Sequence, residues 1–325
     1  MQTLQQPTDS NVTDSGTLKS RLLMYVAWIL ASSAAFAGPL RSVVRFAAEN
    51  DDASHIVVIP IISAVLLYLQ RRPIFARLSR DFTVSVGLGA LAIGVAAITA
   101  ARHGAWDVNT SLAGYTLAAV LLWIAGFGFF FGGRAFRAAR FPLFFLVLAV
   151  PLPTFLLAHV VHALQTGSAA IVSAIFEVTG TPFLRDGFVF QLGRFAIEIA
   201  EECSGIRSSM AILILALLAA HFYLRTFWKQ VVFIACSLLI MIVKNGVRIA
   251  TLTFLSLHVN PAFLFGRLHR DGGVVFFLLG MVLLLPILLA LQRGEISPQP
   301  LQPDLIASNR AGKLNEAAEK PALES

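Results

Sequence analysis

Charged residues are scarce in this chain. Asp, Glu, Lys and Arg make up 13% of its 325 residues, whereas hydrophobic residues make up 57%. A soluble domain of this length could not bury so much apolar surface, because a single core stops growing at about 250–300 residues. The apolar residues also come in long blocks, and about 20 such residues suffice to span a bilayer. This composition excludes an ordinary soluble protein and predicts an all-α integral membrane protein.

Cysteine is equally scarce, with only Cys203 and Cys236 in the chain. Cys203 lies at the edge of an apolar block and Cys236 well inside another, so their depths do not match as a disulfide requires. The sequence also contains no Gly-x-Ser-x-Gly, no His-Glu-x-x-His and no phosphate loop. His159 and His162 have the i, i+3 spacing of metal ligands, but no third ligand is evident. We therefore expect neither a metal nor a cofactor.

The formal net charge of +7 would suggest a nucleic-acid partner in a soluble protein. Here the basic residues lie in short loops between apolar blocks, which is the pattern of a multi-pass membrane protein. We expect the lipid bilayer, and no nucleic acid, as the partner that this charge reflects.

Polar stretches at 1–18 and 294–325 predict disordered tails, and 19–293 predicts one polytopic membrane domain. Pro151 and Pro153 should kink the fifth of about eight predicted spans. The predicted spans are 22–40, 55–70, 82–101, 112–131, 141–165, 204–222, 228–256 and 273–292.

Arginine and lysine are concentrated in the loops 71–80, 132–140 and 221–229. The positive-inside rule places these loops, and with them both termini, in the cytoplasm of an inner-membrane protein. The stretch 166–202 is then the one long external segment. Its part 187–200 alternates apolar with small or polar residues around Gly193, which predicts a short external hairpin before the sixth span.

Three chemically distinctive residues fall at the predicted periplasmic end of the last spans: Cys203, Arg248 and His269. A thiolate attacks peptide carbonyls, and a helix start or a nearby cation favours it. A histidine can act as general acid and base, and an arginine can stabilise an oxyanion or hold a substrate carboxylate. Read without function, Cys203 is a small buried residue and His269 an ordinary loop residue. Arg248 and its neighbour Lys244 are harder to dismiss, because charges within spans usually have a partner or a role.

The motifs around these residues resemble the exosortase/archaeosortase family. The run Glu202-Cys203-Ser204-Gly205-Ile206-Arg207-Ser208 resembles its cysteine motif, and Asn245-Gly246-Val247-Arg248-Ile249 its arginine motif. His269 with Gly272-Gly273 and Phe276-Phe277 resembles its histidine motif, and Val150-Pro151-Leu152-Pro153 also fits the family pattern.

The resemblance implies a membrane cysteine protease or transpeptidase with Cys203 as nucleophile, Arg248 stabilising the oxyanion and His269 moving the proton. Arg207, Glu202, Asn245 and Ser204 would support the site. The implied substrates are secreted proteins with a C-terminal sorting signal, which consists of a Pro-Glu-Pro type motif, one transmembrane helix and a basic tail. The cleaved protein would pass to an acceptor such as a polysaccharide or a lipid.

Two other classes remain open from the residues alone. A transporter could use Arg248 and Lys244 to bind an anionic solute within the membrane. A non-catalytic assembly partner would leave Cys203 inert toward external thiol reagents.

Overall fold

The computed structural model describes residues 15–50, 53–76, 78, 81–193, 195–200, 205–260 and 273–293. The described chain is mainly helical, with one small sheet between residues 184 and 198. The α-helices in chain order are α1 (Ser15–Ala35), α2 (Ala37–Glu49), α3 (His55–Leu69), α4 (Arg71–Phe75), α5 (Thr83–Ala101), α6 (Val108–Ala138), α7 (Arg140–Phe145), α8 (Thr154–Val178), α9 (Ile206–Tyr223), α10 (Phe227–His258) and α11 (Gly273–Arg293).

Six of these helices are long and apolar enough to cross a membrane, and α1 with α2 would make a seventh if the pair counts as one span. The prediction of an all-α, multi-pass membrane protein is therefore confirmed. The predicted number of about eight spans is higher than this. Helix α3, the second predicted span, has only 15 residues, and the first and fifth predicted spans are broken.

The first predicted span, 22–40, breaks at Phe36, where α1 and α2 meet at 83°. Pro39 explains the break, because it has no N–H for the carbonyl of Ala35 and its ring crowds that carbonyl. Helix α1 also begins at Ser15, inside the 1–18 tail that the sequence predicts. The other predicted tail, 294–325, lies outside the described residues.

The fifth predicted span, 141–165, is not one kinked helix. Helix α7 continues into a 3₁₀ turn, Leu146–Ala149, and a new helix, α8, begins at Thr154. Pro151 and Pro153 separate the two because neither can donate to a helical ladder. Helix α8 then runs to Val178, so part of the stretch 166–202, which the sequence assigns to an external segment, is helical.

Polar contacts fix the start of α8 beside the start of α6. Asp107 caps α6 by accepting from the Thr110 N–H at 2.9 Å, and it also accepts from the Thr154 hydroxyl at 2.5 Å. Asn109 Nδ2 donates to the Leu152 carbonyl at 2.7 Å. These bonds hold the proline-containing connection against the α5–α6 hairpin.

A three-stranded antiparallel sheet follows α8, in the order β1 (Leu184–Asp186), β2 (Val189–Gln191) and β3 (Ala196–Glu198). Strands β2 and β3 turn at Gly193, whose φ of 63° suits glycine. The sequence predicts a hairpin in this region, whereas the structure adds β1 as a third strand. The inner face of the sheet packs on α8 and α10 through a buried cluster that includes Phe176, Phe190, Ile197 and Ala250.

Candidate functional site

The site residues predicted from the sequence divide into two groups. Cys203, Glu202, Ser204 and His269 lie outside the described residues. Arg248 and Asn245 lie on α10 and Arg207 on α9, and their positions define the surroundings of the site. Arg248 is half-buried, Asn245 is buried and Arg207 is exposed.

Lys244 links α10 to the first turn of α9 through a hydrogen bond. Its side chain is only 2% exposed, and its ammonium donates to the hydroxyl of Ser208. The Ser208 hydroxyl in turn donates to the Gly205 carbonyl at 3.1 Å. The charge of Lys244 is thus satisfied at the turn that immediately follows Cys203 in the sequence. The sequence alone suggests Glu201 or Glu202 as its partner, and both lie outside the described residues.

Asparagine 245 contacts the same turn from the neighbouring position of α10. Its Nδ2 donates to Ser168 Oγ on α8 at 2.9 Å. A methyl group at Gly205 would lie 2.6 Å from Asn245 Oδ1, so the Asn245 side chain would have to shift to admit it. Gly205 also has a φ of 73°, a conformation that costs other residues about 1–2 kcal/mol. Both the close approach of Asn245 and the positive φ therefore favour glycine at this position.

Helix α11 completes the group of helices around this turn. A methyl group at Gly280 would lie 2.8 Å from Ile212 Cδ1 on α9 and 3.8 Å from Lys244 Cδ on α10. At the opposite end, Lys229 Nζ donates to the Leu291 carbonyl at 2.8 Å. The start of α9, the last third of α10 and the start of α11 therefore lie at the same end of this bundle. That is the end at which the segments carrying Cys203 and His269 join these helices.

A cavity of about 700 Å³ opens beside this region, between α8 and the sheet. Gln165 lines it, and Gln165 Nε2 donates to the Ile199 carbonyl at 2.8 Å. Ala200, three positions before Cys203 in the sequence, also lines it. The complete lining is Ala158, His159, Val161, His162, Gln165, Phe188, Glu198 and Ala200.

The two histidines singled out by their spacing are exposed on the α8 wall of this cavity. His159 Nδ1 donates to the Phe155 carbonyl at 2.6 Å, because a carbonyl can only accept. The His162 ring packs edge-on against Phe188, with ring centroids 5.4 Å apart. Among the described residues, no group of three or more His, Cys, Asp or Glu side chains is arranged to hold a metal ion.

Sequence reasoning missed the serines and the glutamine that organise this region. Ser168 is fully buried and Gln165 is 7% exposed, although both lie in a largely apolar helix. A polar residue within an apolar helix is itself a signal in the sequence, since buried polar side chains usually have a hydrogen-bond partner. What the sequence could not supply was which helix would carry that partner.

Residues 47–286 match the transmembrane exosortase family. This match covers well over half of the 325 residues, so the chain belongs to the transmembrane exosortase family and the sequence resemblance is confirmed. No curated protein and no solved structure matches the chain. Members of this family are generally cysteine-type transpeptidases, and membership implies a membrane protein involved in processing sorting signals.

Proposed function

We propose that this protein is a membrane cysteine transpeptidase that cleaves the C-terminal sorting signal of secreted proteins and transfers them to an acceptor. Cys203 attacks the substrate carbonyl and forms a thioester while the C-terminal helix and tail leave as the amine product. His269 protonates that amine and later deprotonates the acceptor, and Arg248 stabilises the oxyanion. Arg207, Glu202, Asn245 and Ser204 support the site.

The contact between Gly205 and Asn245 carries this proposal. Two peptide units separate residues 203 and 205, so their Cα atoms lie within about 7–8 Å of each other. Asn245 precedes Arg248 by less than one helical turn. The contact therefore supports an arrangement in which the Cys203 thiol and the Arg248 guanidinium share one pocket.

The surrounding charges favour a thiolate. Lys244 and Arg248 are one helical turn apart on α10, and both side chains are cations. The first N–H groups of α9 form the positive end of the helix dipole. The N-cap residue, Gly205, has no side chain that could accept hydrogen bonds from these groups. Both effects lower the free energy of a nearby anion. The same charges would stabilise the oxyanion of an attacked carbonyl.

The sheet supports placing the proposed active site at the boundary between the membrane and water. Edge strands carry unpaired backbone groups, which are not tolerated in contact with lipid. Together with the loop charges, this favours an inner-membrane protein with its active site facing the periplasm and both termini in the cytoplasm. In a chain that carries Cys203→Ala and Cys236→Ala, a membrane-impermeant maleimide should then label Val259→Cys in intact cells and Phe227→Cys only after permeabilisation. The opposite pattern would invert this orientation.

The substrates we propose carry a Pro-Glu-Pro type motif, one transmembrane helix and a basic tail. The basic tail would stay in the cytoplasm, and the helix would hold the motif at the outer face beside Cys203. The acceptor would be a polysaccharide or a lipid. The region 19–293 acts as the transpeptidase domain between two cytoplasmic tails.

The two cysteines of the chain provide a matched test. A secreted protein with this tripartite signal is co-expressed with Cys203→Ala or with Cys236→Ala, and its C-terminus is determined by mass spectrometry. Loss of cleavage with Cys203→Ala and normal cleavage with Cys236→Ala is the expected result. Cleavage that survives in Cys203→Ala would refute the assignment.

The structure does not favour the transporter alternative. Lys244 is buried and bonded to Ser208, so its charge does not line an open passage within the described part of the bundle. Lys244 instead contacts the turn that follows Cys203, and Arg248 lies one helical turn further along α10.

A further inference from the structure

Strand β3 leads directly into the proposed active site. Glu198, its last residue, precedes Cys203 by five positions. In the sheet order β1-β2-β3, strand β3 has a neighbour on one side only among the described strands. Its second edge is therefore available within the part of the chain that the structure describes.

The pairing shows which backbone groups lie on that second edge. Ile199 N–H donates to the Phe188 carbonyl at 3.0 Å, and Leu192 N–H donates to the Phe195 carbonyl at 2.9 Å. Hydrogen-bonded and non-bonded pairs alternate along an antiparallel ladder. The N–H and C=O groups of Ala196 and Glu198 consequently point away from β2.

The side chains of β3 alternate in the same way. Ile197 is buried against the helices, whereas Ala196 and Glu198 are exposed. Glu198 and Ala200 line the cavity of about 700 Å³, whose other wall is α8. The Gln165–Ile199 hydrogen bond fixes α8 against the end of the strand. Glu198 at the end of β3 thus borders an open cavity that extends to Ala200, three positions before Cys203 in the sequence.

We infer that the outer edge of β3 binds the substrate as an added strand: the extended peptide segment that carries the scissile bond pairs with Ala196 and Glu198. This inference rests on the proposed function. Strand addition gives affinity through backbone hydrogen bonds and leaves alternate side chains to enter neighbouring pockets. The cavity beside Glu198 and His159 supplies such a pocket. A peptide aligned on β3 is also guided along the chain direction toward Cys203.

Cross-linking tests this placement. Ala196→Cys and, as a matched control on the opposite edge, Leu184→Cys are each made in a chain carrying Cys203→Ala and Cys236→Ala. Leu184 is 72% exposed, so its cysteine is accessible. The probe is a co-expressed secreted protein with the tripartite signal and a single cysteine next to its cleavage motif. Under mild oxidation, we expect a disulfide cross-link at position 196 and about tenfold less at position 184, because only one edge binds the strand.

A second pair of variants tests the backbone bond itself. Ala196→Pro removes the outward N–H, whereas Ala196→Val keeps it and suits a strand. Losing one hydrogen bond should lower the cleavage rate about tenfold in Ala196→Pro, and Ala196→Val should cleave within about twofold of the parent. Unfolding temperatures of both variants show whether Ala196→Pro has kept its fold, and the cross-linking result does not depend on it.

The outcomes separate the two proposals. If Cys203→Ala blocks cleavage but positions 196 and 184 cross-link equally, the β3 inference is wrong and the enzyme assignment stands. If Cys203→Ala leaves cleavage intact, the assignment itself fails.

Discussion

Lys244, which donates a hydrogen bond to Ser208, is a buried charged residue in a place where charges are costly. Placing a lysine at the centre of a membrane helix costs about 3 kcal/mol on insertion scales, so its partner should matter. We predict that Ser208→Ala destabilises the protein by about 1.5–3 kcal/mol, because it removes a hydrogen bond to a buried charged group. Unfolding of the purified protein in detergent measures this loss.

A double-mutant cycle with Lys244→Met is the control for this prediction. Methionine keeps the length of the side chain and removes the charge, so adding Ser208→Ala to Lys244→Met should cost little further. Additive costs would show that the two side chains do not interact.

Gly205 and Gly193 offer a matched pair for the site turn. Both have positive φ, 73° and 63°, but only Gly205 has a side chain where a methyl group would go. Gly193→Ala should therefore cost only the backbone strain, about 1–2 kcal/mol. Gly205→Ala should cost more and should also reduce cleavage, because Asn245 must move. Equal unfolding free energies for the two variants would contradict the close approach of Gly205 to Asn245.

Helices α8 and α10 approach closely at Gly246, because glycine has no side chain to keep the two backbones apart. A methyl group there would lie 2.6 Å from Ile171 Cβ and 3.2 Å from the Ser168 carbonyl oxygen. Neither atom is the free end of a flexible side chain, so the helices must separate. We predict that Gly246→Ala lowers the unfolding free energy by about 1–3 kcal/mol, as overpacked cores do.

Gly89 on α5 is the control, because nothing lies within 4 Å of a methyl group there. Gly89→Ala should be neutral or stabilising by up to about 1 kcal/mol, since alanine is the better helix former. A Gly246→Ala variant as stable as Gly89→Ala would contradict the packing of α8 on α10.

The link between α6 and α8 depends on the charge of Asp107. Hydrogen bonds from Thr110 and then from Thr154 lower the pKa of Asp107 from an ordinary 3.8 to about 2. A carboxylate with a lowered pKa stabilises the folded state above its unfolded pKa, and the contribution is lost as the pH falls through the folded pKa. The unfolding temperature of Asp107→Ala should therefore lie below that of the parent at pH 7. The gap should narrow as the pH falls from 4 toward 2, and a constant gap would contradict this assignment.

Several elements could be predicted from hydropathy, and others could not. Helices α5, α9, α10 and α11 match predicted spans because each is a continuous apolar block of the required length. The breaks at Phe36 and at 150–153 depend on tertiary contacts as well as on prolines. A proline can either kink a helix or end it. At 150–153 the helix ends, and the Asp107–Thr154 hydrogen bond, which joins distant parts of the sequence, fixes the start of the next helix.

At the scale of the whole molecule, the sequence motifs identified the family correctly and the structure added how the described parts meet. Arg248 could be recognised because a charge in an apolar block is rare. Ser208, Ser168 and Gln165 could not, because their importance arises from pairing across helices. The arrangement joins α8, α9, α10 and the sheet around the turn that follows Cys203.

The central claim is that Cys203 becomes acylated by the substrate. The direct measurement is mass spectrometry of the protein isolated from cells that express a tripartite-signal protein, with and without hydroxylamine, which cleaves thioesters. We predict a hydroxylamine-sensitive adduct, ending at the residue before the cleaved bond, on the peptide that contains Cys203 and not on the peptide that contains Cys236. Cleavage of the substrate with no such adduct on Cys203, or with the adduct on another residue, would contradict the account.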